Sequence, residues 1–150
     1  MRLDLGGIAK GYAEDDALRA MRRFGVRSAL IEMGGDIVAG DPPPGRPGWR
    51  VEVSAAGPEA PDRIITVANC AVSSSGDTEQ FVEIDGKRYS HIVDPRTGVG
   101  LTDRIAVTVV ARRGRISDGL STAVSVLGAA AGSRLLDAYR GATASIRTAR

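Results

Sequence analysis

Ile105-Ala106-Val107-Thr108-Val109-Val110-Ala111, followed after an arginine-rich break by Ile116-Ser117-Asp118-Gly119-Leu120-Ser121-Thr122-Ala123-Val124, decides the fold. The first run is dominated by β-branched residues and reads as a buried strand. The second reads as a helix over Ile116 to Gly128, with Ser117 as its N-cap and Asp118 at the positive end of the helix dipole. At 100° per residue, Leu120, Ala123, Val124 and Leu127 share one face, and Asp118, Ser121, Thr122 and Ser125 share the other. A second helical piece over Ala129 to Tyr139 and a last strand over Ala142 to Ile146 follow. A strand flanked by a helix that buries one face against it is the unit of an α/β layer.

Working outward, Arg2 to Leu5 reads as a short strand, and Gly6-Gly7 as a turn. A helix is expected over Ile8 to Phe24, with Ala13, Ala17, Leu18 and Met21 near helical spacing and Gly25 as its stop. Ser28 to Met33 and Ile37 to Ala39 read as strands around Gly34-Gly35-Asp36. The proline-rich Asp41 to Gly48 is a stiff loop. Trp49 to Val53 and Arg63 to Val67 alternate as strands around a loop at Ala55 to Asp62. Phe81 to Ile84 and Lys87 to Ile92 flank Asp85-Gly86, a strong hairpin signal. The expected fold is α/β (α+β), one domain over residues 1–150, with a single mixed sheet, antiparallel hairpins and packed helices.

Composition narrows the function. The chain has 150 residues, a net charge of +2 and one residue in four charged, which are ordinary globular values. Cys70 is the one cysteine and His91 the one histidine, which excludes an intramolecular disulfide, a cysteine zinc site and a multi-histidine metal site. Lys10 and Lys87 are the only lysines, so the basic character is arginine. The six aromatic residues are scattered, and no stacking platform accompanies the arginines, which argues against nucleic acid as a partner. No stretch approaches 18 consecutive apolar residues and Met1 to Gly7 has no apolar signal core, so the default expectation is a cytoplasmic chain.

The polar helix face carries the first chemical signal. Asp118 and Thr122 are i and i+4 neighbours that offer hard oxygen to Mg²⁺, an ion that keeps waters and substrate phosphates in its shell. The competing reading of that face is a solvated helix side. Four glycine-containing turns, at Leu5-Gly6-Gly7, Met33 to Asp36, Ser73 to Asp77 and Asp94 to Gly98, can present backbone N–H groups to a phosphate. Neither Gly-x-Gly-x-x-Gly nor the Walker pattern occurs. His91, at a strand-to-loop junction, is a candidate general base near neutral pH.

In order, Asp4-Leu5-Gly6-Gly7-Ile8-Ala9-Lys10-Gly11-Tyr12, Gly34-Gly35-Asp36-Ile37, Ala71 to Asp77, Tyr89-Ser90-His91-Ile92-Val93-Asp94-Pro95-Arg96-Thr97-Gly98, Val107 to Ala111 and Asp118 to Thr122 resemble the FAD:protein FMN transferase (ApbE-like) family. The resemblance implies a T-fold-like architecture lacking the family's N-terminal portion. It implies a Mg²⁺-dependent transfer of FMN from FAD to a Thr or Ser hydroxyl of an acceptor protein, with release of AMP. By the same resemblance Asp118 and Thr122 supply metal oxygens with Ser121 close by, and the Gly7 carbonyl is a further metal ligand. Asp4, Lys10 and Ile92 match FAD contacts, and His91 matches the base that takes the acceptor's proton. Two other functions compete: a non-catalytic flavin- or nucleotide-binding remnant, and a Mg²⁺-dependent FAD pyrophosphatase. A second copy or another partner is a candidate to complete the pocket, and members of the family are often exported or membrane-anchored. Glu32 stands where the family usually has Asn, and Val99-Gly100 where it has Tyr-Pro. Asp137 to Thr143 resembles the acceptor motif itself, but Arg140 breaks it at the Ser/Thr position.

Overall fold

The computed structural model describes residues 3–53, 63–76 and 80–148. In chain order the elements are α1 (Ala9–Arg23), β1 (Leu30–Met33), β2 (Asp36–Ala39), β3 (Trp49–Val53), β4 (Arg63–Val67), β5 (Cys70–Gly76), β6 (Phe81–Ile84), β7 (Lys87–Ser90), β8 (Val93–Asp94), β9 (Val99–Gly100), β10 (Ile105–Ala111), α2 (Gly114–Asp137) and β11 (Thr143–Thr148). Five strands form the main sheet in the order β1-β2-β5-β10-β11, and three two-stranded ribbons pair β3 with β4, β6 with β7 and β8 with β9. Every one of these pairings is antiparallel, so the expected mixed sheet resolves into an antiparallel sheet with ribbons attached.

β10 shows why the sheet has two different faces. Ile105, Val107, Val109 and Ala111 are buried, and together with Leu120 and Val124 of α2 they form the largest core cluster. Each fully buried valine contributes about 1.5–3 kcal/mol by leaving water. Leu18 of α1 closes a second cluster over Val38 and Ala71. The alternate residues face the other side, where Val51 and Val67 of the β3–β4 ribbon pack on Ala39 and Val72, with Val110 at the border. The sheet is thus covered by helices on one face and partly by a ribbon on the other.

The two helices meet at glycines. A Cβ on Gly11 would lie 2.2 Å from the Gly114 carbonyl oxygen, and one on Gly114 would lie 2.5 Å from that of Gly11. No other residue allows this approach. α2 bends where the sequence breaks: Gly128 has φ 75° and ψ 172° inside it, separating the two expected helical pieces. At 24 residues and a mean hydropathy of 1.2, α2 is long and apolar enough to cross a membrane by length and composition alone. Here it packs across β5 and β10, with Leu120 and Val124 in the core. The β6–β7 turn has positive φ at Asp85 and Gly86, the backbone that an Asp-Gly hairpin favours.

Four sequence expectations change. Leu3 to Leu5 form no strand, since Asp4 Oδ1 accepts the Gly6 N–H and the Leu5 carbonyl accepts from Ile8 and Ala9, turning the chain into α1; Arg2 lies outside the described residues. Ser73 to Gly76 are not a turn but the end of β5, hydrogen-bonded to β10; Asp77 is outside the described residues, as is the whole of the expected loop at Ala55 to Asp62. The strand expected to reach Ile92 ends at Ser90. Ser117 is not an N-cap: α2 starts three residues earlier, and its first N–H groups are capped by another helix, with Asp15 accepting from Gly114 (2.8 Å) and Arg115 (3.3 Å).

Candidate functional site

β2 pairs with β5 only from Ile37↔Val72 to Ala39↔Cys70. Beyond Val72, β5 continues along β10 while β2 turns away at Gly34-Gly35, so its edge from Ser73 to Gly76 is open on that side among the described residues. A cleft of about 400 Å³ occupies this notch. Its apolar wall is Ile37, Val51, Val53 and Val72, and its floor includes Ser74 and Thr108, whose hydroxyls lie 3.0 Å apart. Gly6, Lys10, Asp118 and Thr122 line the helix side, and Gln80 and His91 lie at the far rim. No aromatic side chain lines it among the described residues.

The polar face of α2 is not a solvated helix side, the reading that competed with a metal site: most of it is buried. Asp118, Ser117, Ser121 and Ser125 are buried against β5 and α1. Small hydroxyls permit that contact: Ser117 Oγ meets Ser73 Oγ at 2.9 Å, and Ser121 Oγ meets Ser75 Oγ at 2.7 Å. Asp118 Oδ2 accepts the Gly11 N–H at 3.0 Å, a bond that the Gly11–Gly114 crossing makes possible. Its second oxygen takes no hydrogen bond among the described residues, and Asp118 itself lines the cleft. Thr122 Oγ1 is 3.3 Å from Ser75 Oγ, and the backbone at Gly7 comes so close that a Cβ there would meet the Thr122 side chain at 3.1 Å.

These donors fit Mg²⁺. Asp118 Oδ1, Thr122 Oγ1 and the Gly7 carbonyl are hard oxygens of low total charge, which suits an ion that retains waters and takes phosphate oxygens. Among the described residues no group of three or more His, Cys, Asp or Glu side chains is placed to hold a metal by itself. Ser121 is placed differently from its neighbours: it is fully buried, and its hydroxyl donates to the Asp118 carbonyl at 2.9 Å.

Lys10 enters from α1 and pairs with the buried Asp36 at 2.9 Å. Burial pulls the Lys10 ammonium down, but Asp36, Asp118 and Glu14 outweigh it and hold it above the usual lysine value. Asp36 is pushed up by burial against the opposing pull of Lys10 and a Ser74 backbone N–H. Glu14, one turn after Lys10, is fully buried with neither carboxylate oxygen hydrogen-bonded. Burial first, then Asp36 and Asp118, push it up to about 8. Sequence reasoning missed Glu14, yet its spacing carried the signal: Gly11, Glu14 and Leu18 are the buried residues of α1, not the Ala13–Ala17–Met21 side.

His91 is exposed, and its Nδ1 lies 3.1 Å from the Gln80 carbonyl. A carbonyl only accepts, so Nδ1 carries the proton in this bond, and in the neutral ring Nε2 keeps the lone pair. Of the expected site residues, Asp4, Gly7, Ser121 and Ile92 do not line the cleft. Asp4 is exposed and spends Oδ1 on its own turn. Ile92 is buried, with its N–H on Ser90 Oγ and its carbonyl on the Leu101 N–H. The loop from Asp94 to Gly98 is held by Asp94, which accepts the Arg96 N–H and guanidinium; the pairing keeps the Asp94 carboxyl below the usual carboxylate range.

Several proteins similar to this chain in sequence and shape are flavin transferases by name. The chain is 37% identical to a FAD:protein FMN transferase of Treponema pallidum, over 96% of this chain and 43% of that protein. It is 34% identical to one of Haemophilus influenzae, over 84% of this chain and 38% of the relative. The chain therefore spans less than half the length of these relatives. The apo flavinyl transferase ApbE of Pseudomonas stutzeri superposes with a TM-score of 0.84 at 35% identity, covering 99% of this chain and 46% of that one. The Vibrio cholerae flavin transferase ApbE gives 0.81 at 30% identity, covering 97% and 46%. The model of the ApbE family matches residues 1–146, and the chain belongs to that family.

Proposed function

We infer that this chain is the metal- and phosphate-handling portion of a Mg²⁺-dependent FAD:protein FMN transferase. The observation that carries the reading is the convergence of Asp118 and Thr122 from α2, Lys10 from α1 and His91 from the segment after β7 on one cleft. The apolar wall at Val51, Val53 and Val72 offers room for a heterocycle, and the polar side at Gly6, Lys10 and Asp118 for a pyrophosphate.

Asp118 Oδ1, Thr122 Oγ1 and the Gly7 carbonyl would hold Mg²⁺, which when bound neutralises pyrophosphate charge and is worth several kcal/mol in a transfer of this kind. Lys10, fixed by Asp36, sets an ammonium beside the phosphate path as a point charge. His91 Nε2 takes the proton from an acceptor Thr or Ser hydroxyl, whose oxygen bonds to the FMN phosphorus. The bond from that phosphorus to the bridging oxygen breaks, and AMP carries the bridging oxygen away. A placed base adds about 10²–10⁴-fold. Ser121 acts from behind, bracing the Asp118 backbone and Ser75. Asp4 and Ile92 serve FAD through the backbone segments they shape, since neither side chain lines the cleft. The acceptor is a protein with a Thr or Ser flavinylation motif.

A pyrophosphatase reading, with water as acceptor, is favoured by the exposure of His91 at the rim. Incubation with FAD, Mg²⁺ and an acceptor bearing a threonine motif separates the readings. Transfer yields a fluorescent acceptor band that survives denaturation, with AMP released alongside. AMP without labelling assigns the pyrophosphatase. FAD bound with no AMP released leaves a binding module and overturns the enzyme.

A further inference from the structure

At the other end of β5, about 20 Å from Ser75 at a strand rise of roughly 3.3 Å per residue, lies a second concavity. This cleft of about 320 Å³ has Arg19, Arg22, Arg112, Arg113 and Arg115 in its lining. Among the described residues Asp15 is the only acid that lines it, and both its oxygens are taken by the first N–H groups of α2. Arg19 pairs with Asp16, and Arg22 donates to the Asn69 side chain at 3.2 Å. Arg112, Arg113 and Arg115 have no carboxylate partner among the described residues. The same three also line an adjoining cleft with Arg140 and Tyr139, so they form a ridge between two basic hollows. Like charges crowded without counter-charge repel, and a bound anion removes that cost.

We propose that this arginine cleft is a second anion site, separate from the candidate active cleft, which binds a phosphate-bearing ligand of two or more negative charges. Guanidinium groups match phosphate oxygens through paired N–H donors, which a lysine cluster does not offer. The cleft is open and shallow enough for either a soluble pyrophosphate or phosphate ester, or the headgroup of an anionic lipid. None of its residues belongs to the proposed transferase machinery, so the inference stands apart from that reading.

The test is calorimetric titration of the metal-free protein with inorganic pyrophosphate at low ionic strength. One saturable site is expected, weakened at least tenfold in the double variant Arg112→Ser/Arg113→Ser. A double variant that removes two charges elsewhere, Arg104→Ser/Arg134→Ser, should bind within twofold of the parent. All four residues are exposed, so both variants should keep the parent's circular dichroism. In a parallel arm, co-sedimentation with vesicles containing phosphatidic acid, whose terminal phosphate can carry two charges, is compared with phosphatidylcholine alone. Loss of pyrophosphate binding in the first variant alone assigns a soluble ligand. Vesicle binding lost in that variant, with no pyrophosphate binding in the parent, assigns a lipid headgroup. Equal loss in both variants, unchanged binding in the first, or no binding in either arm overturns the site.

Discussion

Replacing Glu14 by Gln should make the protein more stable at neutral pH, and the gain should grow with pH in a set way. The Glu14 carboxyl sits near 8 in the fold against 4.5 in an unfolded chain. The fold therefore binds its proton more tightly, and between these values the unfolded chain is ionised while the folded one is not. Stability falls as pH rises through that window, by up to about 1.4 kcal/mol per pH unit, and levels off above the folded value. From pH 5 to pH 7 the loss from this residue alone is about 3 kcal/mol. The glutamine amide keeps the shape and does not titrate. Urea unfolding of parent and variant at pH 5, 6, 7 and 8, in metal-free buffer, reads the difference directly. The two curves should lie close at pH 5 and separate by about 3 kcal/mol at pH 7. Parallel pH profiles would refute the reasoning, because they would mean that Glu14 is ionised in the fold and finds partners there.

Gly11→Ala should destabilise by more than about 1–3 kcal/mol, although alanine is the better helix former, because its Cβ would strike the Gly114 backbone; a rise in the urea midpoint would contradict the crossing. Asp15→Ala removes a cap from α2 and should cost about 0.5–2 kcal/mol, checked by the same unfolding assay. His91→Ala should lower flavin transfer about 10²–10⁴-fold while Mg²⁺ binding, read by calorimetry, stays as in the parent. Asp118→Ala should abolish Mg²⁺-dependent turnover, and an unchanged rate would remove Asp118 from the metal site.

What the sequence disclosed and what it hid divide along a physical line. Local signals located α1, β10, the Asp85-Gly86 hairpin and the break at Gly128, and in β10 the alternation and the burial agree residue by residue, whereas in α1 the extent was legible and the buried side was not. The misreadings are places where a long-range partner supplies what local chemistry lacks. Ser73-Ser74-Ser75-Gly76 looks like a turn by composition, yet it is a strand because β10 pairs with it and α2 needs small side chains to reach it. Ser117 looks like a cap, but the cap comes from Asp15, 99 residues away along the chain from Gly114. Asp118 and Thr122 were legible as an i, i+4 oxygen pair; that Gly7 would come to meet Thr122 was not, since only the resemblance placed it there.

The cleft itself follows from a length mismatch. β2 ends its pairing at Ile37, and β5 runs four residues further. A sheet edge left unpaired normally invites another strand. Here Gly34-Gly35 turns β1–β2 away, Asp36 bonds the exposed Ser74 N–H, and Lys10 neutralises Asp36. The edge is thus blunted by the same ion pair that lines the cleft, and the notch stays open to a ligand. If that account is right, Asp36→Asn, which keeps a side-chain acceptor for Ser74 but drops the charge, should free Lys10 and weaken anion binding geometry in this cleft. It should do so while leaving the arginine cleft at the far end of β5 unaffected. A variant that lost both together would show that the two ends of β5 are not independent.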